Sequence, residues 1–139
     1  MENLTNFGTK CIEILNDWGS PYAIFEHNGI GMSFCERLMN GDLDYENFYV
    51  HENGKVGVMS GPVMKIKMVN CLKKYMEKDI LKINDSDTIN EMMSYIEKQS
   101  TSGNKKFEAD TGNDDLTVTC GWTAFLLDTV WIQDVLSYQ

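Results

Sequence analysis

Two adjacent carboxylates, Asp114 and Asp115, stand where the polar stretch Thr111–Asn113 gives way to the long apolar segment Leu116–Leu136. An acid at the start of a helix is ordinarily an N-cap that accepts a backbone hydrogen bond, and the helix terminus supplies about half a positive elementary charge. A second, adjacent acid has no capping role. The pair therefore indicates that at least one of the two acids binds a cation.

A third acid, Glu26, directly follows the short apolar run Tyr22–Phe25, which is typical of a strand buried on both faces. Ligands of open α/β sheets gather outside the carboxyl ends of strands, so Glu26 is either a capping or loop acid or a metal ligand. Mg²⁺ and Mn²⁺ prefer carboxylate oxygens and keep several waters. One such ion, or two held about 4 Å apart, would activate water and stabilise the leaving oxygen of a phosphodiester.

Lysines form the other chemical signal, because six of the chain's 12 basic residues lie between Lys65 and Lys82. Lys65 falls on the apolar face of a predicted helix, where it either extends to the surface or contacts a phosphate. Lys67, Lys74 and Lys78 form a stripe on the opposite face. This stripe is either a solvated helix face or a local DNA-binding strip.

The 139-residue chain carries a formal net charge of -9, which excludes a generic polyanion binder and requires any nucleic-acid site to be local. Its four cysteines are isolated from one another, which predicts reduced thiols in a cytoplasmic protein. Because Asp128 interrupts the C-terminal apolar segment, no membrane-spanning run is present. We expect a soluble, intracellular protein with no membrane partner.

Alternating strand and helix patterns predict an α/β fold with a mixed sheet, in a single domain over residues 1–139. The predicted helices run over Leu4–Trp18, from Asn28-Gly29 to about Met39, and over Pro62–Lys78, Ile89–Ile96 and the segment after Asp115. The predicted strands are Tyr22–Phe25, Phe48–Val50, Leu81–Ile83 and Phe107–Ala109, and Ser100–Asn104 is predicted to be a mobile loop.

Taken in order, several short motifs cover residues 4 to 136 at a characteristic spacing. They are Phe25-Glu26-His27-Asn28 with Gly31, Tyr45 and Asn47 before a strand, Gly57 followed by Lys65, Glu91 in the next helix, and Phe107-Glu108-Ala109 leading through Gly112 to Asn113-Asp114-Asp115-Leu116. This ordered set resembles the nuclease domain of the large terminase subunit of tailed bacteriophages, the motor protein that packages DNA and cuts it.

The resemblance implies an RNase H-like (integrase/resolvase-type) mixed sheet flanked by helices, and hydrolysis of double-stranded DNA assisted by one or two Mg²⁺ or Mn²⁺ ions. It implies that Glu26 and Asp115 are catalytic metal ligands and that Asp114 is an auxiliary ligand or a cap. Lys65 is implied to contact DNA and Glu91 to give internal support. With the lysine stripe, the predicted DNA-binding residues are Lys65, Lys67 and Lys74.

The sequence departs from the family pattern in several places. Asn113 stands where the family often has His, and no strand carrying the family's first catalytic Asp precedes Leu4. No phosphate-binding loop of an ATPase is present either. We therefore expect the C-terminal portion of a terminase nuclease that lacks its first strands. The strand Tyr22–Phe25 would then expose an edge that pairs with an N-terminal terminase segment or with a second copy.

Three functions follow as hypotheses. The first is the endonuclease module of a terminase, which cuts concatemeric viral DNA in the cytoplasm of an infected bacterium alongside the ATPase domain, the small subunit and the portal. The second is a non-catalytic terminase-like protein that binds the packaging machinery or DNA. The third is an unrelated acidic α/β adaptor whose carboxylates are only caps.

Overall fold

A computed structural model describes residues 4–99, 105–109 and 114–137. Its helices are α1 (Leu4–Asp17), α2 (Ile30–Met39), α3 (Pro62–Glu77), α4 (Ser86–Met93), α5 (Asp115–Leu127) and α6 (Val130–Ser137), and its strands are β1 (Tyr95–Gln99) and β2 (Lys105–Ala109). The chain forms two compact units, Met1–Ser60 and Gly61–Gln139. The single domain over 1–139 stays a prediction.

The first unit contains α1, α2 and the loops that follow them. Helix α1 presents Ile12 to a core that Phe34, Cys35 and Leu38 of α2 complete. Phe25 packs edge-on against Phe34, with ring centroids 4.9 Å apart. This core supports the segment that carries Glu26.

The prediction of a mixed RNase H-like sheet is wrong for the described residues. Tyr22–Phe25 forms no regular strand, and the backbone around it makes only isolated bridges, Ala23 with Phe48 and Glu26 with Val58. The pairing partner changes within three residues, so no ladder extends. The side chains of this run are half-buried, not enclosed on both faces.

Other predicted strands also differ. Phe48–Val50 contributes bridges only, and Leu81–Ile83 is not a strand. The one sheet among the described residues is the antiparallel hairpin of β1 and β2, in which Tyr95 pairs with Ala109. The predicted strand Phe107–Ala109 is therefore confirmed as part of β2, whereas the loop 100–104 lies outside the described residues.

The helix predictions hold better. The helices expected at Leu4–Trp18 and Pro62–Lys78 are confirmed within a residue, but the helix expected over Ile89–Ile96 is α4, which begins earlier and ends at Met93. The long apolar segment after Asp115 is divided at Asp128 into α5 and α6. No helix in the described ranges is both long enough and apolar enough to cross a membrane.

Helices α3 and α5 form the centre of the second unit. Cys71, Leu72 and Tyr75 of α3 form its core with Ala124 of α5. Gly121 lets the two helices approach closely, because a Cβ at this position would lie 1.8 Å from the Met68 Sδ. This packing positions the start of α5.

Candidate functional site

The N-terminus of α5 carries the two predicted acids. Asp114 is the N-cap residue, and its carbonyl accepts the first intrahelical hydrogen bond from the Val118 N–H at 2.9 Å. Its side chain makes no capping bond, and Asp115, in the first turn, is exposed. The structure thus brings both carboxylates to the positive end of one helix without a described hydrogen-bond partner for either.

Glu91 of α4 supplies the capping bond instead. Its Oε1 accepts a hydrogen bond from the Thr117 N–H at 2.7 Å. Thr117 is 1% exposed, and its hydroxyl oxygen has no partner among the described residues. Glu91 therefore gives α5 the internal support that the family resemblance implies for this position.

Helix α4, which carries Glu91, has a conventional N-cap. The Asp85 carboxylate accepts hydrogen bonds from the Thr88 N–H at 2.9 Å and the Thr88 hydroxyl at 2.7 Å. These two bonds favour the ionised form and hold the pKa of Asp85 below its usual range. At the other end, the Ser94 hydroxyl donates to the Glu91 carbonyl at 2.8 Å.

Glu26 lies in the first unit, on a backbone that is held from several directions. The Val58 N–H donates to the Phe25 carbonyl at 2.8 Å, and the His27 N–H donates to the Val58 carbonyl at 2.7 Å. A Cβ at Gly31 would lie 2.0 Å from the Glu26 carbonyl oxygen, so only glycine fits there. The Glu26 side chain is half-buried.

His27 is a residue that sequence reasoning did not single out beyond its motif. It is 5% exposed, and its Nδ1 lies 2.8 Å from the Val56 carbonyl oxygen. Since a carbonyl only accepts, the ring must carry its proton on Nδ1. His27 thereby fixes the loop next to Glu26 from within the same unit, and its position directly after Glu26 was the available signal.

The donor set at α5 suits a hard divalent cation. Mg²⁺ is usually bound through one or two carboxylates and keeps several waters, which two adjacent aspartates with no capping bond can accommodate. Within the described part of each unit, no three His, Cys, Asp or Glu side chains are grouped to hold a metal ion. Among the described residues of the second unit, the carboxylates at this helix start are Asp114 and Asp115.

The predicted DNA-binding lysines separate into two sets on α3. Lys65 is half-buried, whereas Lys67 and Lys74 are exposed. Lys67 and Lys74 both lower the pKa of the Cys71 thiol, although burial and Asp128 leave that pKa raised overall. These two lysines therefore share one face, as the helical spacing predicts.

Lys74 takes part in a polar network that the sequence did not reveal. The Asp128 Oδ1 accepts from the Lys74 Nζ at 2.8 Å and from the Tyr75 hydroxyl at 2.7 Å. Together these donors hold the pKa of Asp128 below its usual range. The Gln133 side chain donates to the Tyr75 hydroxyl at 3.2 Å. The available signal was Asp128 itself, one of two acids within the apolar segment Leu116–Leu136.

A cavity of about 540 Å³ adjoins this network. Lys74 and Lys78 line it together with Tyr75, Asp128, Gln133 and Ser137. None of the described residues pairs with the Lys78 ammonium. The lysine stripe thus borders a concave surface in which one positive charge is neutralised by Asp128 and another is not.

The cysteines offer no nucleophile or metal ligand to these sites, although the Cys71 thiol donates to the Asp128 Oδ2 at 3.8 Å. All four are free, with Cys35 and Cys71 buried and Cys11 and Cys120 half-buried. Burial, with a smaller contribution from Glu36, raises the pKa of the Cys35 thiol to about 11. Protonated thiols of this kind are poor nucleophiles and poor metal ligands.

Comparison with known proteins identifies the fold. No protein-family model and no curated protein matches the sequence. The large terminase nuclease from thermophilic phage G20c is similar in structure, with 18% identity and a TM-score of 0.66 over 87% of this chain and 61% of that one. The same nuclease with bound magnesium gives 18% identity and a TM-score of 0.70 over 89% of this chain and 62% of that one. The chain thus spans about three fifths of the length of these nucleases, and its fold is terminase nuclease-like.

Proposed function

We propose that this terminase nuclease-like domain is the metal-dependent endonuclease module of a phage terminase large subunit, which cuts concatemeric viral DNA during genome packaging. The observation that carries the proposal is the pair Asp114 and Asp115, two carboxylates at a helix N-terminus with no described hydrogen-bond partner. The likeness to a nuclease crystallised with magnesium supports it. The site of action would be the cytoplasm of the infected bacterium.

In this proposal Asp114 and Asp115 hold Mg²⁺ or Mn²⁺, and Glu26 stays a predicted ligand and catalytic residue. The chemistry that such an ion supplies is activation of water and stabilisation of the leaving oxygen of a phosphodiester. The chain's own contribution is to orient carboxylate oxygens on a rigid helix start.

Binding of double-stranded DNA would fall to the lysines of α3. Lys67 and Lys74 lie on one exposed face, and Lys78 extends this face to the cavity. Lys65 stays a predicted contact near the scissile phosphate. Phosphates would compete with Asp128 for Lys74, because the Lys74–Asp128 pair is exposed and easily exchanged.

A second candidate function is a non-catalytic terminase-like module that binds DNA or the packaging machinery. One observation favours it: no three metal-ligating side chains are grouped within the described part of either unit. In both functions the proposed partners are an ATPase-bearing terminase segment, the small terminase subunit and the portal, with self-association as a further outcome.

A plasmid cleavage assay distinguishes the two functions. The endonuclease is expected to nick or linearise supercoiled plasmid with Mg²⁺ or Mn²⁺, to stop in EDTA, and to lose activity on Asp115→Asn. Asp134→Asn is the matched control, since it removes an equally charged and likewise exposed acid on α6. Binding of DNA without cleavage under either metal would overturn the endonuclease in favour of the binding module.

A further inference from the structure

At the start of α5, one residue occupies the N-cap position and another accepts the capping hydrogen bond, two roles that usually belong to one residue. An N-cap aspartate normally accepts a hydrogen bond from the backbone N–H two or three residues later. Asp114 occupies the N-cap position. The N–H of Thr117, three residues later, nevertheless donates its hydrogen bond to the Glu91 carboxylate, at 2.7 Å. The side chain of Asp114 makes no capping bond, and its backbone angles, φ -124° and ψ 12°, lie outside the extended region that N-cap residues usually adopt.

The Thr117 amide cannot be left without an acceptor at low cost. Thr117 is 1% exposed, so water does not replace a lost hydrogen bond, and an unsatisfied buried N–H carries a desolvation penalty. Asp114 is the residue at the N-cap position and is among the strongest N-cap types. Without Glu91, the Asp114 carboxylate would turn to the Thr117 amide.

We propose that Glu91 is a positioning residue that takes over the capping of α5 and thereby keeps the Asp114 carboxylate available for a divalent cation. The metal-binding half of this statement rests on the proposed function. The capping half rests on this chain's hydrogen bonds alone. Glu91 touches neither substrate nor metal in this role and acts through Asp114.

Helix α4 is built to hold Glu91 in place. Its first turn is fixed by the two hydrogen bonds from Thr88 to Asp85, and its last turn by the bond from the Ser94 hydroxyl to the Glu91 carbonyl. These bonds fix the backbone of the helix that carries Glu91, and a residue on a rigid helix orients its neighbour more accurately than a loop residue would. Outer residues of this kind typically change metal affinity about 10- to 100-fold when they are removed.

A metal-free measurement tests the capping half. Scalar coupling through hydrogen bonds, measured by NMR on the full chain, is expected to link the Thr117 amide nitrogen to the Glu91 carboxyl carbon in the wild type. In Glu91→Ala the coupling should pass to the Asp114 carboxyl carbon, and Glu91→Gln should keep it at residue 91. No coupling to Asp114 in a folded Glu91→Ala variant would overturn the proposal.

Mn²⁺ affinity, measured by calorimetry, tests the second half. Glu91→Ala is expected to weaken binding about 10- to 100-fold, as for other outer residues around metals. Glu91→Gln should stay close to the wild type, because it removes the charge but keeps an acceptor for Thr117. Glu77→Ala, which removes a charge from an exposed site on α3, is the control and should change nothing.

A double-mutant comparison decides whether the effect passes through Asp114. Once Asp114→Ala is present, adding Glu91→Ala is expected to cause no further loss of Mn²⁺ affinity, since the two changes remove the same ligand. Additive losses, or unchanged affinity in folded Glu91→Ala, would overturn the proposal while leaving the metal site intact. Absence of Mn²⁺ binding in the wild type would instead overturn the proposed function and, with it, the metal half of this proposal.

Discussion

At the scale of single residues, the decisive feature is an N-cap aspartate that does not cap. From the sequence, Asp114 and Asp115 could be recognised as candidates, but capping and metal binding could not be separated. Glu91, which accepts the capping hydrogen bond in place of Asp114, lies 26 positions before Thr117, and this bond exists only after α4 and α5 pack. Local patterns do not record such a contact.

The pH dependence of stability is a prediction at this scale. The pKa values of Asp85 and Asp128 are lowered in the folded state by hydrogen bonds from Thr88 and from Lys74 and Tyr75. Their stabilisation is therefore present above the ordinary Asp pKa, about 3.9, and is lost as pH falls through the lower folded values. Urea unfolding midpoints between pH 7 and 2.5 measure this.

Two variants test whether Asp128 causes the loss of stability at low pH. Asp128→Asn is expected to flatten the acid limb of the profile, whereas Asp134→Asn, on the exposed face of α6, should leave it unchanged. Equal profiles for the wild type and Asp128→Asn would contradict the role given to the Lys74–Asp128–Tyr75 network.

At the scale of elements, helices were predictable and the sheet was not. The periodicity of α1 and α3 is local and predicts where both helices lie. It does not predict the buried face, because Phe7 and Ile14 of α1 and Met76 of α3 are exposed. A strand depends on partners elsewhere in the chain. Tyr22–Phe25 has a strand-like composition, but its backbone meets first Phe48 and then Val58, one bridge each. Asp128 was recognised as an interruption of the apolar segment. The division into two helices at this residue was not predicted, since α5 and α6 are both apolar.

The packing of α3 on α5 gives a prediction for Gly121. Gly121→Ala places a methyl group 1.8 Å from the unshifted Met68 Sδ, so the helices must move apart or Met68 must leave its rotamer. We expect a loss of about 1–3 kcal/mol in the free energy of unfolding, as is usual for overpacking. Chemical denaturation followed by circular dichroism measures it.

The double variant Gly121→Ala/Met68→Ala serves as the control. Removing the Met68 side chain gives the new methyl room, so the two changes should cost less together than the sum of their separate costs. Strict additivity would show that the close approach at Gly121 does not limit this packing.

At the scale of the whole molecule, charge governs how DNA can bind. A net charge of -9 repels a DNA duplex. The proposed binding of DNA must therefore depend on the few lysines of α3 and on divalent cations. Composition made this requirement predictable. It could not reveal that Lys74 is already paired with Asp128, because that contact joins residues 54 positions apart.

DNA affinity as a function of salt tests this arrangement. If Lys65, Lys67 and Lys74 each neutralise one phosphate, the logarithm of the affinity should fall with the logarithm of salt concentration with a slope of about -3. Asp128→Asn frees Lys74 and should tighten binding more than Asp134→Asn, which changes the net charge equally. Fluorescence anisotropy with a labelled duplex gives both quantities, and equal effects of the two variants would contradict a role for Lys74.

The most direct test of the account is a Mn²⁺ titration of unfolding stability. If Asp114 and Asp115 bind the ion, Mn²⁺ at 100 times its dissociation constant is expected to raise the free energy of unfolding of the wild type by about 2.7 kcal/mol. In the Asp114→Asn/Asp115→Asn variant this increase should disappear, whereas in Asp134→Asn it should remain. An unchanged stability of the wild type in Mn²⁺, or an equal increase in the double variant, would contradict the claim that these two aspartates bind a metal ion.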